Sequence, residues 1–129
     1  MKNKDFLLDT NIWIAYLKGD ATVMGRIDEL LVRRKAYMTL ISQGELIFGA
    51  FKSQLWERNV RRANRLIGQV EKVYLAEDDI AFTYGLVKSN LKEQGITLTE
   101  NDLWIASTAI HYRLTLVTRD RDFARIKGF

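Results

Sequence analysis

Short apolar runs alternate along the chain with longer stretches whose apolar residues recur every three or four positions, a pattern of strands and helices taking turns. The run Phe6-Leu7-Leu8 between Asp5 and Asp9 predicts a buried parallel strand, and Thr10 stands where it would cap a helix beginning at Asn11. Val23, Ile27, Leu30 and Leu31 mark the apolar stripe of a helix over 21–34, followed by a strand over 36–41. Ser42 then opens a third helix. Helical patterns over 55–69 and 78–94 flank a brief strand over 72–75; Gly95 breaks the second of them, and a last long helix starts at Thr99 and runs to 113. A strand over 114–118 leads into Arg119-Asp120-Arg121-Asp122-Phe123. Strands alternating with helices predict an α/β fold, a three-layer α/β/α sandwich with a mainly parallel central sheet.

At 129 residues the chain is sized for one domain, 1–129, able to hide about two-thirds of its unfolded surface around a single core. Its 47% hydrophobic and 28% charged content is that of a globular chain rather than a disordered one. There is no cysteine and one histidine, His111, which leaves no room for disulfide frameworks, thiol catalysis or the Cys/His sites of structural zinc. Any metal must be held by oxygen. No apolar run approaches the ~20 residues needed to span a bilayer, and the N-terminus lacks a signal-peptide pattern, so a soluble cytoplasmic protein with no membrane partner is expected.

Four acids fall at element boundaries: Asp9 where the first strand ends, Glu45 and Asp102 in the first turns of helices, and Asp120 just after the last strand. In an open parallel sheet, ligands bind beyond the carboxyl ends of the strands, where the following helices also begin, so these acids can converge despite their separation in sequence. Carboxylates brought within a few ångströms repel one another unless they share protons or surround a cation. With oxygen ligands alone, the natural cation is Mg²⁺ or Mn²⁺.

Each acid also has a plainer reading. Ser42-Gln43-Gly44-Glu45 and Thr99-Glu100-Asn101-Asp102 both have the form of capping boxes, and acids in first helical turns complement the helix dipole. Taken singly, Asp9 reads as a strand-end residue, Asp120 as part of a turn and Asp122 as the cap of a final helical turn. Capping leaves unexplained why all of these acids fall at the same edge of the sheet.

The same residues resemble a known family. Phe6-Leu7-Leu8-Asp9-Thr10-Asn11, Ser42-x-x-Glu45-Leu46-x-x-Gly49, Asn101-Asp102-Leu103-x-Ile105-Ala106 and Leu116-Val117-Thr118-x-Asp120-x-Asp122-Phe123 are similar, in that order, to the motifs of PIN-domain ribonucleases. The nearest likeness is to prokaryotic VapC-type toxins, and it covers essentially the whole chain. The resemblance implies that Asp9, Glu45, Asp102 and Asp120 form the catalytic metal cluster, with Asp122 as a fifth ligand, a more distant acid or a helix cap. For Thr10, Asn11 and Thr118 it implies hydrogen bonds around the metal or its water, beside a purely structural role for each. Two departures stand out. Thr97 lies where such proteins often have proline, a change that affects loop stiffness alone. The family also usually continues past the Gly128-Phe129 position into a final short strand, which leaves one sheet edge in question.

The implied activity is endonucleolytic cleavage of RNA with Mg²⁺ (or Mn²⁺), leaving a 5′-phosphate and a 3′-hydroxyl. A metal-bound water is the nucleophile in such chemistry, so no protein nucleophile is required. The implied partners are RNA, a second copy of the chain in a homodimer, and a cognate VapB-type antitoxin whose tail covers the cleft with an Arg facing the carboxylates.

The formal charge of +4 becomes more informative with the five candidate acids set aside, since twenty Lys and Arg then face eleven Asp and Glu. A surface with nine excess positive charges suits RNA. Arg58, Arg61, Arg62 and Arg65 are the main candidates for backbone contacts, with Arg33, Arg34, Lys35 and Lys52 beside them; the plainer reading is a set of solvated helix faces. Trp13, Trp104 and Phe48 lie near the acids in sequence, but their helical spacing reads as core rather than as base-stacking platforms. His111 is expected near the surface of the last long helix, without a catalytic role. Two other functions compete: a non-catalytic RNA-binding or scaffold module of the same fold, against which the four intact acids argue, and a phosphatase of the haloacid-dehalogenase type. The latter rests on Asp120-x-Asp122 after a strand, a motif that stands early in much longer chains, whereas seven residues follow Asp122 here.

Overall fold

The computed structural model describes residues 4–73, 78–121 and 123. Four parallel strands, β1 (Phe6–Leu8), β2 (Ala36–Thr39), β3 (Glu71–Val73) and β4 (Thr115–Val117), form a sheet in the order β3-β2-β1-β4. Two helices fill each crossover: α1 (Thr10–Leu17) and α2 (Ala21–Val32), then α3 (Leu40–Lys52) and α4 (Trp56–Ile67), then α5 (Asp78–Glu93) and α6 (Glu100–Tyr112).

Strand alternation divides the core between the two faces. Leu8, Ala36 and Met38 pack with Ile12, Trp13, Ile27, Leu46 and Leu66 from α1 to α4. Leu7 and Val73 turn the other way, onto Ile105 and Ala109 of α6. Val87 and Leu91 of α5 then pack on Leu103 and Ala106 of α6. Because helices cover both faces, the central strand is apolar at every position, as Phe6-Leu7-Leu8 requires. The result is the expected α/β/α sandwich with a parallel sheet. Among the described residues no helix is long and apolar enough to cross a membrane.

The order of connection reverses between β1 and β4. From β1 the chain winds outward through β2 to β3, then returns to lay β4 on the other side of β1. A crevice at the carboxyl ends of β1 and β4 follows from that reversal.

Most boundaries lie within two residues of the sequence-based ones, but two caps are displaced. Asp9, not Thr10, caps α1: its side chain accepts the Ile12 N–H at 3.0 Å, and the helix begins at Thr10. Thr39, not Ser42, caps α3 by accepting the Ser42 N–H at 3.0 Å, so β2 stops at Thr39 instead of reaching residue 41. Thr39 is wholly buried, and the cap gives its hydroxyl oxygen a donor inside the core. At α6 the expected cap is present, with Thr99 Oγ1 accepting the Asp102 N–H at 3.2 Å. Gly95, at φ +72°, ends the α5 region as expected. Part of the 72–75 strand, Asp122, and the C-terminal segment on which the missing-strand question turns lie outside the described residues.

Candidate active site

Asp9 leaves β1 at the switch point, its N–H bonded to the Val117 carbonyl of β4 at 3.1 Å. Its carboxylate is 4% exposed and held from two sides. One oxygen caps α1, and the other accepts the Thr118 hydroxyl proton. The Thr118 oxygen in turn accepts the Asp120 N–H at 2.9 Å, so one hydroxyl links both acids. Between them Arg119 turns away, bonding Asp20 Oδ2 at 3.0 Å and Thr22 Oγ1 at 2.6 Å at the start of α2. The loop is thereby fixed at Thr118 and Arg119, directly before Asp120.

Glu45 sits in the second turn of α3, a turn later than the capping-box reading put it, because the helix starts at Leu40. Thr10 donates to Glu45 Oε1 at 2.5 Å, and Ser42 Oγ lies 2.8 Å from Thr10 Oγ1. Since the single Thr10 proton is committed to Glu45, Ser42 must donate to Thr10. Asn101, in the first turn of α6, donates from Nδ2 to Glu45 Oε2 at 3.1 Å. Helices α1, α3 and α6 thus meet on one carboxylate.

Asp9, Glu45, Asp102 and Asp120 line one cleft of about 260 Å³, together with Thr10, Asn11, Ile14, Phe48, Gly49 and Lys52. Burial pushes the Asp9 carboxyl up, assisted by Asp120 and opposed by hydrogen bonds from Thr118 and the backbone. Burial likewise raises Asp102, with Asp120, Glu45 and Asp9 adding repulsion and Thr99 opposing. Among the described residues no Lys or Arg forms an ion pair with Asp9, Glu45 or Asp102. Four carboxylates in one cleft are an oxygen donor set suited to Mg²⁺ or Mn²⁺. Among the described residues, however, no three His, Asp or Glu side chains stand in a ready-made ligand arrangement.

The basic candidates separate into groups. Arg33, Arg34 and Lys35 pair with Glu29, Glu71 and Asp5 at 3.3, 3.9 and 3.3 Å. Lys35 directly precedes β2, at the sheet edge opposite the acids. Arg58, Arg61 and Arg65 are exposed on α4, whereas Arg62 is half-buried and donates to the Leu17 carbonyl, tying α4 to α1. Trp13 is core, as expected, and Trp104 stacks on Tyr84 with centroids 4.0 Å apart. Phe48 departs from expectation: it is 63% exposed and lines the cleft. Sequence reasoning also missed Asn101, although it precedes Asp102 in the first turn of α6 and a polar side chain there had no other evident task. His111 is half-buried with its ring edge-on to Tyr112.

A doubly wound sheet with acids gathered at its switch point defines a class, and the PIN domain family model matches residues 6–128. The chain belongs to the PIN-domain family. Its relatives there are VapC proteins. It is 36% identical over 123 residues to Ribonuclease VapC1 of Haemophilus influenzae (strain R2866), spanning 94% of this chain and 91% of that protein. It is 34% identical over 126 residues to the tRNA(fMet)-specific endonuclease VapC of Shigella flexneri, spanning 95% and 92% of the two chains. Among solved structures, DNA-bound VapBC from Salmonella typhimurium matches with a TM-score of 0.88 at 29% identity, covering 98% of this chain and 96% of that one.

Proposed function

We propose that the chain is a divalent-metal-dependent endoribonuclease, the toxin of a VapBC-type toxin–antitoxin module, acting in the cytoplasm as a single PIN domain. The observation that carries this reading is the meeting of Asp9, Glu45, Asp102 and Asp120 from four separate segments in one cleft, with two of the carboxyls raised by burial and mutual repulsion. Such a cluster disfavours its own charge and gains from a cation. Asp9, Glu45, Asp102 and Asp120 would hold Mg²⁺ or Mn²⁺, with Asp122, outside the described residues, as a fifth candidate. When bound, the ion supplies a water of lowered pKa and balances charge on the departing oxygen. Thr118 holds Asp9 and the Asp120 backbone in register, Thr10 and Asn101 fix Glu45, and Asn11 lines the cleft where it can meet bound water.

RNA is the substrate, with Arg58, Arg61 and Arg65 as contacts to its backbone; Arg62 serves the α1–α4 joint instead. The partners are a second copy of the chain and a VapB-type antitoxin. A groove of about 320 Å³ between α1, α3 and α4 shares Ile14, Glu45 and Gly49 with the acid cleft, giving the antitoxin tail a path to the carboxylates.

The test is RNA cleavage by the wild type, Asp9→Asn and Asp102→Asn, each with Mg²⁺, with Mn²⁺ and with chelator. Cleavage to 5′-phosphate ends should require metal, and each substitution should reduce it to background with secondary structure unchanged by circular dichroism. Cleavage that persists in chelator, or at the wild-type rate in Asp9→Asn, refutes the reading. RNA binding without cleavage by the wild type selects the scaffold function instead.

A further inference from the structure

Phe48 is a large apolar side chain left 63% exposed beside four carboxylates. It follows Glu45 by one helical turn and so shares its face of α3. Lys52, one turn further, is the one Lys or Arg among the described residues lining the cleft, and its ammonium lies over one face of the Phe48 ring, 4.9 Å from the centre. Between them lies Gly49, in mid-helix. A Cβ there would meet nothing within 4 Å, so no packing inside the chain calls for glycine. Gly49 is exposed and lines the same cleft, where it adds no side chain beside Phe48.

An exposed ring and a cation lining one acidic cleft together match an unpaired nucleobase joined to a phosphate. We propose that Phe48 is a base-stacking subsite for single-stranded RNA, seating a base next to the cleaved linkage while Lys52 takes the adjacent phosphate. The proposal rests on the ribonuclease reading and deepens it. An RNA duplex is its control, because a base inside a duplex has no free face to offer the ring.

The experiment measures binding in the Asp9→Asn background, so that substrate is not consumed. The probes are a single-stranded oligoadenylate, an abasic ribose-phosphate oligomer of equal length and charge, and an RNA duplex. Phe48→Ala should weaken oligoadenylate binding about tenfold, within the range of one aromatic–base stack, while Phe48→Trp retains it. The abasic oligomer and the duplex should bind both forms alike. Lys52→Ala should lower the log–log salt slope by about 0.7 for oligoadenylate. Because Phe48 is exposed, its variants should keep the parent melting temperature. Equal loss on the base-bearing and abasic oligomers overturns the stacking role, as does unchanged RNA binding in Phe48→Ala, including a case in which that variant instead loses self-association. If the wild type cleaves RNA but Phe48→Ala binds normally, the subsite alone fails. If the wild type neither cleaves nor binds RNA, the enzyme reading fails with it.

Discussion

Helices α3 and α6 carry sequences of the same form near their starts, Ser42-Gln43-Gly44-Glu45 and Thr99-Glu100-Asn101-Asp102, and their first turns are built differently. At α6 the threonine caps and Asp102 lies at the third helical position, so the acid shares the cap and the cleft. At α3 the cap is one turn earlier, at Thr39, which moves Ser42 inside the helix and Glu45 into the second turn. Freed from the cap, Ser42 supports Thr10, and Thr10 and Asn101 hold Glu45. The difference shows that capping and membership of an acid cluster are not rival assignments. Asp9 combines them, with one oxygen on the Ile12 N–H and its carboxylate in the cleft.

The two helix starts are coupled through Asn101, and breaking that link should give the largest effect. Asn101→Ala leaves the Thr99 cap intact but releases Glu45 Oε2. If Glu45 holds the metal as proposed, RNA cleavage should fall about 10- to 100-fold, with the melting temperature little changed. An unaltered rate would mean that the Asn101–Glu45 bond positions nothing.

The caps themselves come next. Thr39→Ala and Thr99→Ala should each lower stability by about 1 kcal/mol in denaturant melts, the usual value of a helix cap. A neutral Thr39→Ala would return the cap of α3 to Ser42.

The finest distinction lies at Asp9. Asparagine caps as well as aspartate, so Asp9→Asn should melt at or above the wild-type temperature in chelator, and Asp9→Ala should fall about 1 kcal/mol below Asp9→Asn. The pH dependence follows from the raised carboxyls. Asp9 and Asp102 hold a proton more tightly folded than unfolded, so their contribution is fully present below the ordinary value of 3.8 and is lost as the pH rises through their raised folded values. The advantage of Asp9→Asn over the metal-free wild type should therefore shrink as the pH is lowered toward 3.8, which thermal melts across that range will measure. A gap that widens in acid would reverse the sign of the burial argument.

Much of this was legible in the sequence because it depends on local pattern. The run Phe6-Leu7-Leu8, the helical stripe through Ile27 and the acids at strand ends follow from periodicity and from the rule that parallel sheets bind ligands at their carboxyl edge. Boundaries failed where a tertiary demand outweighed a local preference. Burial of Thr39 drew the α3 cap back by a turn, and the switch-point geometry gave the α1 cap to Asp9 rather than Thr10. Phe48 was misread for a related reason. Helical spacing identifies a face but not what covers it, and that face of α3 opens onto the cleft. Asn101 and Arg119 went unassigned because their partners, Glu45 and Asp20, lie 56 and 99 positions away.

The pairing of β1 with β4 has a consequence for the order in which the molecule comes into being. Asp9 is synthesised 109 positions before Thr118, whose hydroxyl holds it. Until Thr115–Val117 leaves the ribosome, β1 has a neighbour on one side only, and neither Thr118 nor Asp120 is present to complete the cleft. A nascent chain therefore carries Asp9 through the synthesis of the 109 positions up to Thr118 without the site that acid belongs to. The topology thus delays completion of the acid cleft until β4 docks beside β1.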